Sequence, residues 1–212
     1  MTKLLIIRHG QSVSNIQGVF TGHLNLALTE LGHQQAKLTG EFILENYKVD
    51  AVYSSDLLRA ADTGHAVADP LGLSLITDRR LREIYAGTWE GRSFDDLSQN
   101  APSYMVFRND IGTCQTDGGE SVAQLSCRVL EAFYEIAERN EGKTVVIATH
   151  ATPVRALMTH AQGKTLAQMK DVPWVTNASV TEVIYEDGKF HLGKICQDAH
   201  LGSIVSRFPS NV

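Results

Sequence analysis

The sequence predicts an α/β protein of three layers, α/β/α, with a mainly parallel central sheet and an antiparallel edge. Three observations carry this. Strand-like and helix-like segments alternate along the chain, the pattern of a parallel sheet whose strands are joined through helices. Segments such as "KLLIIR" and "TVVIAT" are nearly continuous apolar runs, as expected of strands covered on both faces. The last two strand candidates flank Glu186-Asp187-Gly188, a hairpin turn that makes the closing edge antiparallel.

The elements follow in order. Strands are predicted over 3–8, 51–54, 74–77, 144–149, 179–185 and 190–196. Between the first two, Leu31, Leu38, Phe42 and Ile43 recur at helical spacing behind Thr29, a residue type suited to an N-cap. Residues 56–68 read as a second helix. The clearest helix is 120–139, where Val122, Leu125, Val129, Phe133 and Ile136 return every three or four residues. A further helix is predicted to start at Thr152-Pro153, with threonine capping and proline in the first turn. The stretch 92–119 is the least regular and is a candidate insertion covering a site. No repeat, low-complexity tract or linker interrupts the pattern.

At 212 residues the chain fits one domain with a substantial core. A net charge of -5 argues against nucleic acid or an anionic membrane as the main partner, although one cationic pocket would still bind an anion. Cys114, Cys127 and Cys196 are odd in number and lack C-x-x-C spacing, so the expectation is reduced thiols with no metal or disulfide framework. There is no signal-peptide pattern at the N-terminus and no apolar stretch near the roughly 18–20 residues of a membrane span. The expectation is a cytoplasmic protein.

Four places hold the candidate chemistry. Arg8-His9-Gly10, with Asn15 beyond it, follows the first apolar strand; ligands of open α/β sheets bind past the carboxyl ends of strands. In "YSSDLLRAADT", Arg59 stands about one turn into the helix after the second strand. It is either a solvated arginine paired with Asp56 or Asp62, or a cation over the same strand ends as Arg8. In "LREIYAGTWEG", Glu83 lies among Leu81, Ile84, Tyr85 and Trp89, apolar neighbours that would raise a carboxyl pKa as a general acid requires. A surface glutamate beside Arg82 is the alternative. In "VVIATHATPVRAL", His150 again follows a buried strand and precedes a helix start, whose free N–H groups and dipole suit phosphate.

Taken together and in order, Arg8-His9-Gly10, Asn15, Arg59, Glu83 and His150 resemble the histidine phosphatase superfamily, in its phosphoglycerate mutase-like branch, over nearly the whole chain. "LTELGHQQA", "YSSDLLRAADT", "WEG", "GGES" and "NASV" add to the match. The family commonly has Glu-Thr or Glu-Ser after the first glycine; this chain has Gln11-Ser12, and its second histidine sits in Thr149-His150-Ala151-Thr152-Pro153. The resemblance implies a single phosphoglycerate mutase-like domain over 1–212 with a candidate cap at about 92–119. It implies His9 as nucleophile carrying a phosphoryl group, and Glu83 and His150 as the other catalytic residues. Arg8, Asn15, Arg59 and the Ala151 amide would hold phosphate.

Phosphoryl transfer needs in-line attack and charge on the equatorial oxygens held in place. Two arginines supply that as permanently charged forks. Neighbouring cations keep the His9 ring neutral and nucleophilic. No metal or other cofactor is expected. Arg92 and Arg108 are the only arginines between Glu83 and Glu120, and no lysine lies there. A mutase needs a more basic insertion to retain a second anionic group, so a phosphatase is favoured, with a mutase or a non-catalytic phospho-ligand binder as alternatives. The expected partner is a small phosphorylated metabolite, and the expected assembly a monomer or homodimer. Gln11, Phe20 and Tyr85 are the named candidates for the substrate rim, with Val19, His23, Trp89, Tyr104 and Phe107 around them.

Overall fold

The computed structural model describes residues 1–206; the end of the predicted domain lies beyond them. Six strands form one sheet: β1 (Thr2–Arg8), β2 (Ala51–Ser54), β3 (Leu75–Thr77), β4 (Thr144–Thr149), β5 (Val180–Glu186) and β6 (Lys189–Leu192), in the order β3-β2-β4-β1-β5-β6. Neighbours from β3 to β1 are parallel, while β5 and β6 close the sheet antiparallel. The expected fold class is therefore the observed one.

Strand geometry explains the layers. Side chains alternate between sheet faces, so Leu4 and Ile6 enter one core while Leu5 and Ile7 enter the other. The second core is closed by α2 (Glu30–Asn46) and α3 (Leu58–Ala68), through Ile43, Val67 and Ala68. The first is closed by α6 (Val122–Arg139) and α7 (Ala151–Ala161), through Val129, Phe133, Val154 and Leu157. The predicted cap at Thr29 forms, and the longest helix has a cap that was not predicted. Thr29 accepts the Gly32 N–H at 2.9 Å, and Ser121 and Gln124 make a reciprocal capping box.

Most boundaries fall within one or two residues of the sequence expectation, and the larger differences have identifiable causes. α7 begins at Ala151 with His150 in the cap position, not at Thr152. Pro153 is tolerated there because the first-turn N–H groups of a helix have no intrahelical acceptor. β6 stops at Leu192, short of residue 196, and Cys196 takes a left-handed φ of 49° that a continuous ladder does not accommodate. α3 begins at Leu58 and not at residue 56. Residues 92–119 are not irregular: they form α4 (Phe94–Asn100) and α5 (Pro102–Asn109), then one tight turn. The short α1 (Val13–Gln17) has no periodicity that a sequence reading would detect.

Register positions the site. β1 and β4 pair so that Arg8 faces Thr149, and the His9 N–H continues the ladder to the Thr149 carbonyl at 2.9 Å. His9 and His150 are thus the first residues past adjacent parallel strands.

Candidate active site

The backbone at the end of β1 is over-determined. The Ala178 N–H donates to the carbonyls of Arg8 (2.9 Å) and His9 (3.2 Å), and Asn177 Nδ2 donates to His9 O at 3.0 Å. Ala178 itself holds a φ of 57°, costly for a residue with a Cβ, and Thr39 Oγ1 donates to its carbonyl at 2.7 Å. Gly10 permits the turn that follows. A Cβ there would lie 2.4 Å from the Gly32 carbonyl oxygen, so only glycine lets the loop rest on the start of α2.

Beyond these strand ends lies a cavity of about 70 Å³, lined by Arg8, His9, Asn15, Arg59, Glu83, Ala151 and Thr152 among others. His9 Nδ1–H donates to the Gly10 carbonyl at 2.7 Å. That fixes the tautomer and leaves the lone pair on Nε2. Burial, followed by the charges of Arg59 and Arg8, holds His9 well below the ordinary imidazole value. The ring is neutral at neutral pH. His150 packs edge-on against it, with ring centroids 5.2 Å apart, and burial and Arg59 hold it low as well. His150 Nε2 lies 2.9 Å from Ser55 Oγ, while Nδ1 has no partner among the described residues.

The two arginines are aimed by backbone. Arg59 donates from Nη1 to Leu24 O and from Nη2 to Gly22 O, each at 2.9 Å; Arg8 donates from Nη1 to Val175 O at 2.6 Å. Burial lowers the pKa of each to about 10, with Glu83 acting in the opposite direction; both remain charged at neutral pH. Asn15 Oδ1 accepts from Ser12 N–H (2.9 Å) and Asn177 (3.3 Å), which leaves its NH₂ for the cavity. The Ala151 N–H, at the start of α7, has no acceptor among the described residues.

Glu83 is the single carboxylate among the cavity-lining residues. Its oxygens accept the N–H groups of Ile84 (2.8 Å) and Thr152 (3.3 Å), near the charges of Arg8 and Arg59. The surroundings are therefore polar and cationic, not the apolar ones its sequence neighbours suggested. Leu81, Ile84 and Trp89 are in the core instead. Arg128 on α6 holds this loop by donating to the carbonyls of Arg80 (2.7 Å), Arg82 (2.8 Å) and Glu83 (2.8 Å), and it pairs with Glu120. His23 Nε2–H donates to the Glu83 carbonyl at 2.9 Å, and Glu90 accepts the N–H groups of His23 and Ala86.

The site brings together Arg8, His9, Asn15, Arg59, Glu83 and Ala151, with His150 directly behind His9. Of the rim candidates, Phe20, Val19 and Phe107 line the cavity, while Gln11 and Tyr85 do not. Gln11 is stitched to α2: its N–H donates to Gln35 Oε1 (2.8 Å) and its Oε1 accepts from Thr29 (3.0 Å). The Tyr85 backbone is pinned by Glu120 and Thr116, and its ring lies on His23 at 5.2 Å, 43% exposed. Trp89 and Tyr104 are fully buried. Sequence reasoning did not find Thr21, Gly22, Phe94 and Trp174 in the lining, nor Arg128 behind it. The motif "GGES" pointed near that clamp, since Glu120 belongs to it.

A neutral histidine with a free Nε2, two backbone-aimed arginines, an open helix N–H and one carboxylate define a site for phosphoryl chemistry. Residues 4–198 match the histidine phosphatase superfamily (branch 1), and the chain belongs to that family. Phosphoglycerate mutase-like protein 4 of Arabidopsis thaliana is 32% identical, over 88% of this chain and 80% of its own length. A metal-independent phosphoserine phosphatase of the same plant is 30% identical, over 96% and 85%. The solved structure of Bacillus stearothermophilus YhfR is 31% identical and superposes with a TM-score of 0.90, covering 95% of this chain and all of that one. Family and relatives together mark the chain as a phosphatase of the histidine phosphatase type.

Proposed function

We propose that the protein hydrolyses small phosphate monoesters without a metal, through a phosphohistidine on His9. The observation that carries this is the His9 ring: Nδ1–H is committed to Gly10, and burial with two arginines keeps the ring unprotonated. Nε2 attacks phosphorus, the P–N bond forms and the P–O bond to the alcohol breaks. Arg8, Arg59, Asn15 and the Ala151 N–H hold the equatorial oxygens, donors already in place before charge moves. Ser55 donates to His150 Nε2, so that His150 presents Nδ1–H as one more donor. Glu83 passes a proton to the leaving alkoxide and takes one back from the water that then cleaves the P–N bond. The products are the alcohol and inorganic phosphate.

Substrate size follows from the cavity, far below the roughly 300–1,000 Å³ of sites that enclose drug-sized ligands. Residues 92–119 act as a cap, because Phe94 and Phe107 from this segment line the cavity. A mutase is the less favoured reading. Arg92 is paired with Asp96 at 2.6 Å and Arg108 lies outside the catalytic cavity, so neither arginine of the insertion reaches a second anionic group there. Among the described residues no helix is long and apolar enough to cross a membrane. The three free thiols accord with a cytoplasmic setting.

The test is phosphate release from p-nitrophenyl phosphate in EDTA by wild type and His9→Ala. Release by wild type alone is expected; equal release by both proteins removes His9 as nucleophile.

A further inference from the structure

Trp174 lines the catalytic cavity and also a second cavity of about 300 Å³, whose charged lining is Arg108, Arg155, Lys170 and Asp171. Three cations there face one carboxylate. Arg155 is the telling residue. Its side chain is 97% removed from solvent (3% exposed), and the guanidinium lies 3.9 Å from the centroid of the Trp174 ring. Nε donates to Val172 O at 3.0 Å and Nη2 to Met169 O at 2.7 Å. Nη1 has no acceptor, and no carboxylate pairs with Arg155, among the described residues.

A buried guanidinium without an anion is costly, because its desolvation is not offset by an opposite charge. Burial alone brings the pKa of Arg155 down to about 10, so it stays charged at neutral pH. Two carbonyls and one indole face fix the plane of the fork, and the remaining nitrogen is left for a ligand. That is the pre-set geometry with which arginine takes a planar or tetrahedral oxyanion. Arg108 and Lys170 are exposed and bring flexible charge to the same space.

We propose that this cavity is a second anion site, separate from the catalytic one, which binds a phosphate group either free or borne on a small ester. It does not depend on the catalytic reading. Trp174 is the shared wall, so an anion held by Arg155 rests against the same indole that bounds the catalytic cavity.

The experiment is calorimetric titration with inorganic phosphate. Wild type is expected to bind two phosphates, and Arg59→Ala one. In an Arg108→Ala/Lys170→Ala double variant, which changes only exposed side chains, affinity of the second site falls at least about tenfold, the loss of one charge-assisted hydrogen bond. Arg155→Lys, checked for folding by its melting temperature, has the same effect. A parallel titration of His9→Ala with glycerol phosphate separates the sources: binding of the ester alone at the Arg155 cavity assigns the site to ester-borne phosphate. A single phosphate in wild type that vanishes in Arg59→Ala, with no ester binding sensitive to Arg108 and Lys170, overturns the proposal.

Discussion

Arg59 allows the charge and the geometry of the phosphate cradle to be tested apart. Its two terminal nitrogens already serve Gly22 O and Leu24 O at 2.9 Å each, so the guanidinium reaches the cavity as a fixed fork. Lysine retains the charge but offers one ammonium, which cannot span both carbonyls and a phosphoryl oxygen. Arg59→Lys therefore loses about one charge-assisted hydrogen bond in the transition state, roughly 1.5–3 kcal/mol, or about 10- to 100-fold in kcat/KM. Arg59→Ala removes the charge and leaves two buried carbonyls unpaired, so the expected loss is about 10³-fold. The second effect is on His9. After burial, Arg59 is the largest cause of the lowered His9 pKa, so alanine moves the acid limb of kcat/KM to higher pH while lysine leaves it in place. The assay is p-nitrophenyl phosphate hydrolysis over pH, with both variants checked for folding. A loss below twofold in Arg59→Ala refutes the cradle. Equal acid limbs in the two variants refute the electrostatic link to His9.

Three further outcomes are expected. Glu83→Gln lowers kcat/KM for alkyl phosphates by about 10²–10⁴-fold but for p-nitrophenyl phosphate by less than about tenfold, because a good leaving group needs no proton and kcat/KM reports only the steps up to its release; the ratio of the two kcat/KM values is the readout. Arg128→Ala, which frees three loop carbonyls, reproduces that leaving-group selectivity, and Arg128→Lys recovers part of it; a uniform loss on both esters means Arg128 does not act through Glu83. Folding stability falls as pH drops below 6.5. His9 and His150 are held neutral in the fold and take protons once unfolded, so each contributes stability that is complete above 6.5 and lost at up to about 1.4 kcal/mol per pH unit beneath it. Urea titrations at pH 7 and pH 5.5 measure this, and identical midpoints contradict it.

The fold was legible because each of its rules is local. Apolar runs marked the strands, the spacing of Val122, Leu125, Val129 and Phe133 marked α6, and Thr29 marked a cap. The core of the site was legible for a related reason: His9 and His150 stand immediately past paired parallel strands, where adjacency in sequence becomes adjacency in space. The rim was legible only in part. Gln11 is two residues from His9, yet the contact of Gly10 with Gly32 turns it onto α2. Tyr85 is two from Glu83, yet its backbone is tied to Glu120 and Thr116, which turns the ring outward. Phe94 and Trp174 reach the cavity only through tertiary packing of α4 and the loop before β5, whereas Val19, Phe20 and Phe107 are rim residues that the sequence named. Arg128 acts from 45 positions beyond Glu83, and no spacing rule connects the two.

The most direct test of the account is detection of the intermediate on His9. The enzyme is mixed with substrate, quenched in alkali within a turnover, where a P–N bond survives, and digested for peptide mass spectrometry. A phosphoryl group is expected on the peptide containing His9, absent in His9→Ala and, with p-nitrophenyl phosphate as substrate, accumulating in a Glu83→Gln variant, whose water attack is slowed. Turnover by wild type with no phosphoryl group on that peptide, or with one on His150 instead, contradicts it.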